Sequence, residues 1–287
     1  MNTFKYFPAK TVNEACELLS QYGEEAKLLG GGQSLVTLMK QDFVSPSYLI
    51  DIKGISDLDY IRYDETDGLR IGALTTHRSL ETSAVVQEKF AVLAQMELTL
   101  ASVPVRNWGT LGGNLAHADP ASDLAPTLLS LGAEVTLTGP NGARVVSLDD
   151  FFVDTFETAL QPDELLTEIH VPNSSGGAGF YYKFAQRATD LAVVSVAVNL
   201  ILDPDDQNLC RDIRIVMGSV GPTPLRSRRG EDLLKGQTIT GTLIEEAARV
   251  SAEDAQPTTD INGSEEYKRE IVDVLVRRAI KEAAARA

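Results

Sequence analysis

An α+β fold is predicted by three features of this 287-residue sequence. Short β-type runs are interspersed with helical stretches along the first half. Two glycine turns fall in that half, and the remainder opens with three long apolar alternating runs before its helices begin. At 43% hydrophobic residues the chain has enough apolar surface for one large core or two to three small ones.

FKYF, residues 4 to 7, reads as a short strand ended by Pro8. Thr11 then caps VNEACELLSQYG, whose Val12, Ala15, Leu18 and Leu19 share one helical face until Gly23 stops the helix. LLGGGQSLVTLMK, residues 28 to 40, reads as strand, glycine turn and helix, with Ser34 at the capping position. The apolar strand YLIDI, residues 48 to 52, completes a β-α-β-α-β unit, and a new segment begins near Ile55.

Residues 59 to 76 read as a hairpin turning at Asp67-Gly68. Residues 85 to 102 form one helical stretch ended by Pro104. In GTLGGNLAHADPASDLAP, residues 109 to 126, Gly112, Gly113 and Asn114 form a second glycine turn, with further turn chemistry at Asp119-Pro120 and Ser122-Asp123. A helix at 123 to 133, a hairpin at 134 to 148 turning at Pro140 to Gly142, and a strand at 164 to 172 follow. NSSGGAG, residues 173 to 179, has the composition of a linker. Beyond it come three strands and then helices beginning near Gly230, Thr242 and Ser264; the last carries Tyr267, Ile271, Val274, Leu275 and Ala279 on one stripe. The segments are therefore 1 to 54, 55 to 177 and 178 to 287.

Glycines 30 to 32 lack Cβ atoms, so another molecule can approach their backbone, and the N–H groups at the following helix start favour anionic oxygens. That is the chemistry of a phosphate cradle, although a glycine run on its own more often serves a tight turn. Neither glycine stretch is a Rossmann fingerprint: counted from Gly30, the sixth position of G-x-G-x-x-G is Leu35.

A formal net charge of -15 argues against a nucleic-acid partner, the only short basic run being PLRSRRG at 224 to 230. The N-terminus has no apolar signal core and no run is long enough to span a bilayer, which gives a cytoplasmic expectation; an assembly exported folded on another subunit's signal would escape it. Cys16 and Cys210 are too few to ligate an iron-sulfur cluster, and Cys16 within VNEACELL reads as a small packed residue. His77, His117 and His170 are isolated, so no metal site follows from them.

GGGQSL at 30 to 35, TLGGN at 110 to 114 and SDLAP at 122 to 126, in that order, resemble the FAD-binding medium subunit of the molybdenum hydroxylases. That group includes the carbon monoxide dehydrogenase flavoprotein and the flavin domain of xanthine dehydrogenase. The tail SEEYKREIVDVLVRRAIKEA, residues 264 to 283, shares the likeness, which thus covers nearly the whole chain.

The resemblance implies an α+β fold in which two subdomains, 1 to 54 and 55 to 177, grip FAD in the PCMH/VAO manner. A C-terminal domain with a three-stranded sheet plus helices follows. Carried over by position, Leu29, Gly30, Gly31, Gly32, Gln33, Ser34 and Leu35 would wrap the pyrophosphate, with Thr110, Leu111, Gly112, Gly113 and Asn114 as the facing wall. Asp123 would accept hydrogen bonds from the adenosine half, the bland reading being a cap for the helix that starts at Leu124. Leu166 and Lys183 match positions near the flavin ring, where a cation would favour anionic reduced flavin; without the resemblance they read as core and as a solvated strand edge. Some relatives place an aromatic ring at positions matching Leu100 or Leu191, both aliphatic here.

The implied function is electron transfer. FAD would be held noncovalently, filled from iron-sulfur clusters on a small partner subunit and emptied to an external acceptor such as NAD, a quinone or oxygen. A large molybdopterin subunit would set the substrate. The alternatives are a self-contained flavin oxidase or reductase and a non-enzymatic FAD-binding adaptor.

Overall fold

The computed structural model describes residues 2–173 and 177–287. The N-terminal unit runs β1 (Lys5–Pro8), α1 (Val12–Tyr22), β2 (Ala26–Leu29), α2 (Leu35–Lys40) and β3 (Tyr48–Asp51), and its parallel sheet has the order β1-β3-β2. Thr11 Oγ1 accepts from the Glu14 N–H and Gly23 ends α1 at φ 51°, as its sequence predicts. Ser34 differs from expectation. It occupies the capping position of α2 in an αR conformation and makes no side-chain cap.

The second unit comprises β4 (Ile61–Asp64), β5 (Gly68–Gly72), α3 (His77–Thr82), α4 (Ala84–Lys89), α5 (Ala91–Thr99), α6 (Val103–Trp108), α7 (Leu111–His117), α8 (Leu124–Ser130), β6 (Glu134–Gly139), β7 (Gly142–Ser147), α9 (Leu148–Phe151), β8 (Phe152–Asp154), β9 (Glu157–Thr158) and β10 (Leu165–Pro172). Its main sheet is antiparallel in the order β4-β5-β10-β6-β7. Both expected hairpins form, with Asp64 opposite Gly68 and Gly139 opposite Gly142. The pairing of the first stops at Gly72, short of the expected Thr76.

Two expectations in this unit are corrected. The single helical stretch at 85 to 102 is two helices broken at Phe90, and Pro104 lies in the first turn of α6 instead of ending a helix. A first-turn proline loses no intrahelical hydrogen bond, so it starts a helix readily. The second glycine turn is helical: Gly112, Gly113 and Asn114 lie inside α7, capped by Thr110. The glycine at 112 answers to packing, since a Cβ there would sit 2.6 Å from Ala73 Cβ and 2.8 Å from the Ala73 carbonyl oxygen.

The last unit has β11 (Gly177–Phe184), β12 (Val194–Leu202), β13 (Cys210–Gly218) and β14 (Leu225–Arg226), then α10 (Arg228–Leu234), α11 (Gly241–Asp254) and α12 (Glu265–Ala284). The short β14 adds a fourth strand to the expected three, and Gly177 to Gly179 of the expected linker belong to β11; Ser174 to Gly176 lie outside the described residues. On α12 the buried stripe is Lys268, Val272, Leu275, Val276, Ala279, Ile280 and Ala283, so Tyr267 and Val274, expected inside, are partly exposed.

This sheet is covered on both faces, which explains the unbroken apolar run of β12. Val196, Val198, Leu200, Ile213, Ile215 and Met217 pack into a core with α11 and α12. Strand alternation turns Tyr181, Ala197 and Val216 the other way, into a core shared with Leu93, Met96, Leu124 and Leu128 of α5 and α8. Lys183 stands on that same inward face.

Candidate functional site

The glycine loop after β2 rests directly on the segment joining α6 to α7. A Cβ on Gly31 would lie 2.1 Å from the Trp108 carbonyl oxygen and 2.8 Å from Gly109 Cα, and one on Gly30 would lie 3.2 Å from Thr110 Oγ1. The two glycine-rich stretches, some 80 residues apart in sequence, are therefore one structure. Gly32 adopts φ +70°, which swings the chain from the strand into α2.

Within the loop, the Gln33 side chain donates to the Gly31 carbonyl at 3.1 Å and Thr37 Oγ1 donates to the Gln33 carbonyl at 2.9 Å. The N–H groups of residues 30 to 34 donate to no other group among the described residues. Backbone donors without a protein partner need water or a ligand. The opposing wall is different: Leu111 N–H donates to the Thr75 carbonyl (2.9 Å), Gly112 N–H to the Ala73 carbonyl (2.9 Å) and Gly113 N–H to Thr110 Oγ1 (3.2 Å). The loop supplies donors and the wall supplies shape. A consecutive run of free amides at a bare glycine backbone fits the oxygens of a diphosphate.

A second cluster lies where α5 and α8 meet β11. Lys183 Nζ donates to Asp123 Oδ2 at 2.7 Å and to the Thr99 carbonyl at 3.0 Å, and Tyr181 OH donates to Asp123 Oδ1. Both charged side chains are about 95% buried. Burial pushes the Asp123 carboxyl up against the pull of Lys183, and burial together with Asp123 raises the Tyr181 phenol well above its ordinary value. Asp123 makes no side-chain cap on α8, so the bland capping reading is set aside. The clusters are joined through α7: Ser122 Oγ donates to Asn114 Oδ1 at 2.6 Å, one residue from Asp123.

A buried network links the two regions from below. His77 Nδ1 lies 2.9 and 3.1 Å from the carboxylate oxygens of Glu97, whose side chain is fully buried. Arg106 Nε donates to Glu81 Oε2 (2.9 Å) and its Nη1 to the Leu100 carbonyl (2.7 Å). Burial works against Glu81, yet Arg78 and Arg106 hold its carboxyl below the usual range.

Two family models cover the chain: the FAD binding domain in molybdopterin dehydrogenase matches residues 2–174, and the CO dehydrogenase flavoprotein C-terminal domain matches residues 180–283. The carbon monoxide dehydrogenase medium chain of Hydrogenophaga pseudoflava is 38% identical over 284 residues, covering 99% of this chain and 98% of that one. This chain belongs to the FAD-binding medium subunits of the molybdopterin dehydrogenases. The glyceraldehyde dehydrogenase medium chain of Sulfolobus acidocaldarius is 34% identical over 98% of both chains. A solved structure of the carbon monoxide dehydrogenase from Hydrogenophaga pseudoflava aligns with a TM-score of 0.96 at 36% identity, over 100% of this chain and 99% of that one.

Within the medium-subunit fold, the residues expected at the cofactor fall into these groups. Leu29 to Leu35 and Thr110 to Asn114 belong to the two glycine-rich stretches that pack against each other. Leu100, Asp123, Leu166 and Lys183 are all buried, Leu100 and Leu166 in one apolar core and Leu100 next to the carbonyl that holds Lys183. Leu191 is 61% exposed and belongs to neither group. Asp123 and Lys183, expected at opposite halves of the cofactor, are in direct contact with each other. Neither is the solvated or capping residue of the bland reading.

Sequence reasoning took His77 as isolated and missed Glu97, Glu81 and Arg106 altogether. The available signal was a carboxylate inside the apolar run AVLAQMELT and an arginine inside VPVRNW, positions where a charge is retained only with a partner.

Proposed function

We propose that this medium subunit holds noncovalent FAD with its diphosphate on the free amides of residues 30 to 34, and that it acts as the electron outlet of a molybdenum hydroxylase. The unclaimed amides of the GGGQS loop carry this reading. Gly30 to Ser34 would bind the anionic oxygens, and Thr110 would bound them on the opposite side. Leu100 and Leu166 would keep water from the flavin ring, and the Asp123–Lys183–Tyr181 cluster would present it with a hydrogen-bonded pair instead of a free cation.

Bound there, FAD supplies redox chemistry able to accept electrons singly and release them in pairs. A small iron-sulfur subunit would deliver the electrons and a large molybdopterin subunit would carry the substrate, in line with the similar solved carbon monoxide dehydrogenase, a form that lacks the Mo-pyranopterin moiety of its molybdenum cofactor. Cys16 and Cys210 are each buried, in separate cores, and so are not available as cluster ligands. An external acceptor completes the circuit.

Acid precipitation of the purified yellow protein should release all flavin into the supernatant, and the chain recovered from its host should bring molybdenum and iron with it. Flavin retained in the pellet would overturn noncovalent binding. Recovery of a flavin-loaded chain with neither metal would overturn the assignment to a hydroxylase.

A further inference from the structure

The glycine cradle does not stand on its own loop. Gly31 lies against the Trp108–Gly109 peptide, where a Cβ would be 2.8 Å from Gly109 Cα. Gly109 lies against the edge of the His77 ring: a Cβ on it would be 3.2 Å from His77 Cδ2 and 3.7 Å from Gln33 Cγ. The His77 N–H donates to the Gly109 carbonyl at 3.0 Å, and Thr76 pairs with Thr110 in an antiparallel bridge. The ring itself is held by Glu97, through Nδ1 at 2.9 and 3.1 Å. Contact thus runs from Glu97 to His77, to Gly109, to Gly31.

We propose that Glu97 and His77 are positioning residues for the cofactor: the hydrogen bond between them orients the imidazole against Gly109 and thereby sets the shape of the amide cradle at Gly30 to Ser34. The inference rests on the cradle reading and deepens it.

Three observations favour positioning over filling. Glu97 is fully buried in the last turn of α5, a costly place for a carboxylate that serves only to occupy volume. Its partner is a ring that makes the next contact in the chain, and that contact is to backbone, which transmits a displacement directly. Arg106, a buried cation near Glu97, is engaged instead with Glu81, Leu100 and Ala101, so His77 is the partner that orients Glu97. Asp123 and Lys183 face the same interior and satisfy each other.

The test is the dissociation constant for FAD on the full chain, read by flavin fluorescence at a temperature where far-UV circular dichroism shows every variant folded. Glu97→Gln keeps an acceptor for Nδ1 and should bind FAD as wild type does. The double variant His77→Phe/Glu97→Leu keeps the volume filled with an apolar pair, which such sites commonly tolerate, and so should remain folded. Its affinity should fall about tenfold or more, the scale on which outer partners of a binding site act. Wild-type affinity in a folded double variant would overturn the inference alone. Failure of the wild-type chain to bind FAD would overturn the cradle reading and the inference with it.

Discussion

Lys183 Nζ sits 2.7 Å from Asp123 Oδ2, with both side chains almost wholly buried, and this contact helps hold the first strand of the C-terminal sheet to the start of α8. Sixty residues separate the two, and among the described residues neither finds another full charge at hydrogen-bonding distance. Breaking a buried pair leaves an unpaired charge and costs about 3–5 kcal/mol, whereas removing both partners costs far less. Lys183→Met should therefore lower the unfolding free energy of the chain by roughly 3 kcal/mol, and Asp123→Asn/Lys183→Met should recover most of it. Urea unfolding of the three proteins checks this. A loss below about 0.5 kcal/mol in the single variant would show that the pair does not hold the interface.

Gly31 offers a second measurement. Because the space its side chain would enter belongs to the Trp108 carbonyl, Gly31→Ala should destabilise flavin-free protein as much as loaded protein, by about 1–3 kcal/mol. A larger side chain such as valine would then lose FAD through a displaced loop, and the loss could not be blamed on phosphate sterics. Gly241→Ala, at the open start of α11 where a Cβ meets nothing within 4 Å, is the control and should be neutral or gain about 0.4–1 kcal/mol. Thermal melts of apo and loaded protein would reveal an effect confined to the loaded form, which would contradict this account.

The wall opposite the loop depends on a cap. Thr110 Oγ1 accepts from the Gly113 N–H at 3.2 Å and lies beside Gly30. Thr110→Val should cost about 1 kcal/mol, and Thr110→Ser should restore most of that. Equal stability of the valine and serine variants in denaturant titrations would mean that the hydroxyl is not capping α7.

Acid should loosen the edge where Arg144 of β7 meets Glu164. Arg144 donates to both carboxylate oxygens of Glu164, at 2.8 and 2.7 Å, and this pairing, opposed by burial and helped by the Gln161 N–H, holds the Glu164 carboxyl below the usual range. A depressed carboxylate contributes stability above its unfolded pKa and loses it as pH falls through the folded one. With Arg144 some two-fifths exposed, the contribution is about 0.5–1 kcal/mol. Glu164→Gln should flatten that part of the acid limb and leave stability above pH ~5 independent of pH in this term. Identical pH profiles for wild type and variant would remove Glu164 from the acid response. Glu97 and Asp123, held up by burial, act in the opposite sense: their contribution is present at low pH and fades as pH rises through their folded values.

Most of the element order was legible in the sequence because its signals are local. Thr11 and Gly23 bracket α1, Asp67-Gly68 and Pro140 to Gly142 turn the two hairpins, and the GGGQS loop marks the turn from β2 into α2. These choices are made by neighbours within one turn of chain, so short stretches determine them. Tertiary structure decided the rest. Gly112 and Gly113 lie in helix, with Ala73 leaving no room for a Cβ on the first, Lys268 is buried on α12 where Asp260 and the Thr258 carbonyl pair with it, and Tyr267 stayed half out. Alternation along β11 puts Tyr181 and Lys183 on one face, but what meets that face is Asp123, from another unit. His77 and Glu97 likewise carry no motif. A charge is stable in an interior only beside its partner, and the partner is chosen by packing between segments distant in sequence, which no local pattern records.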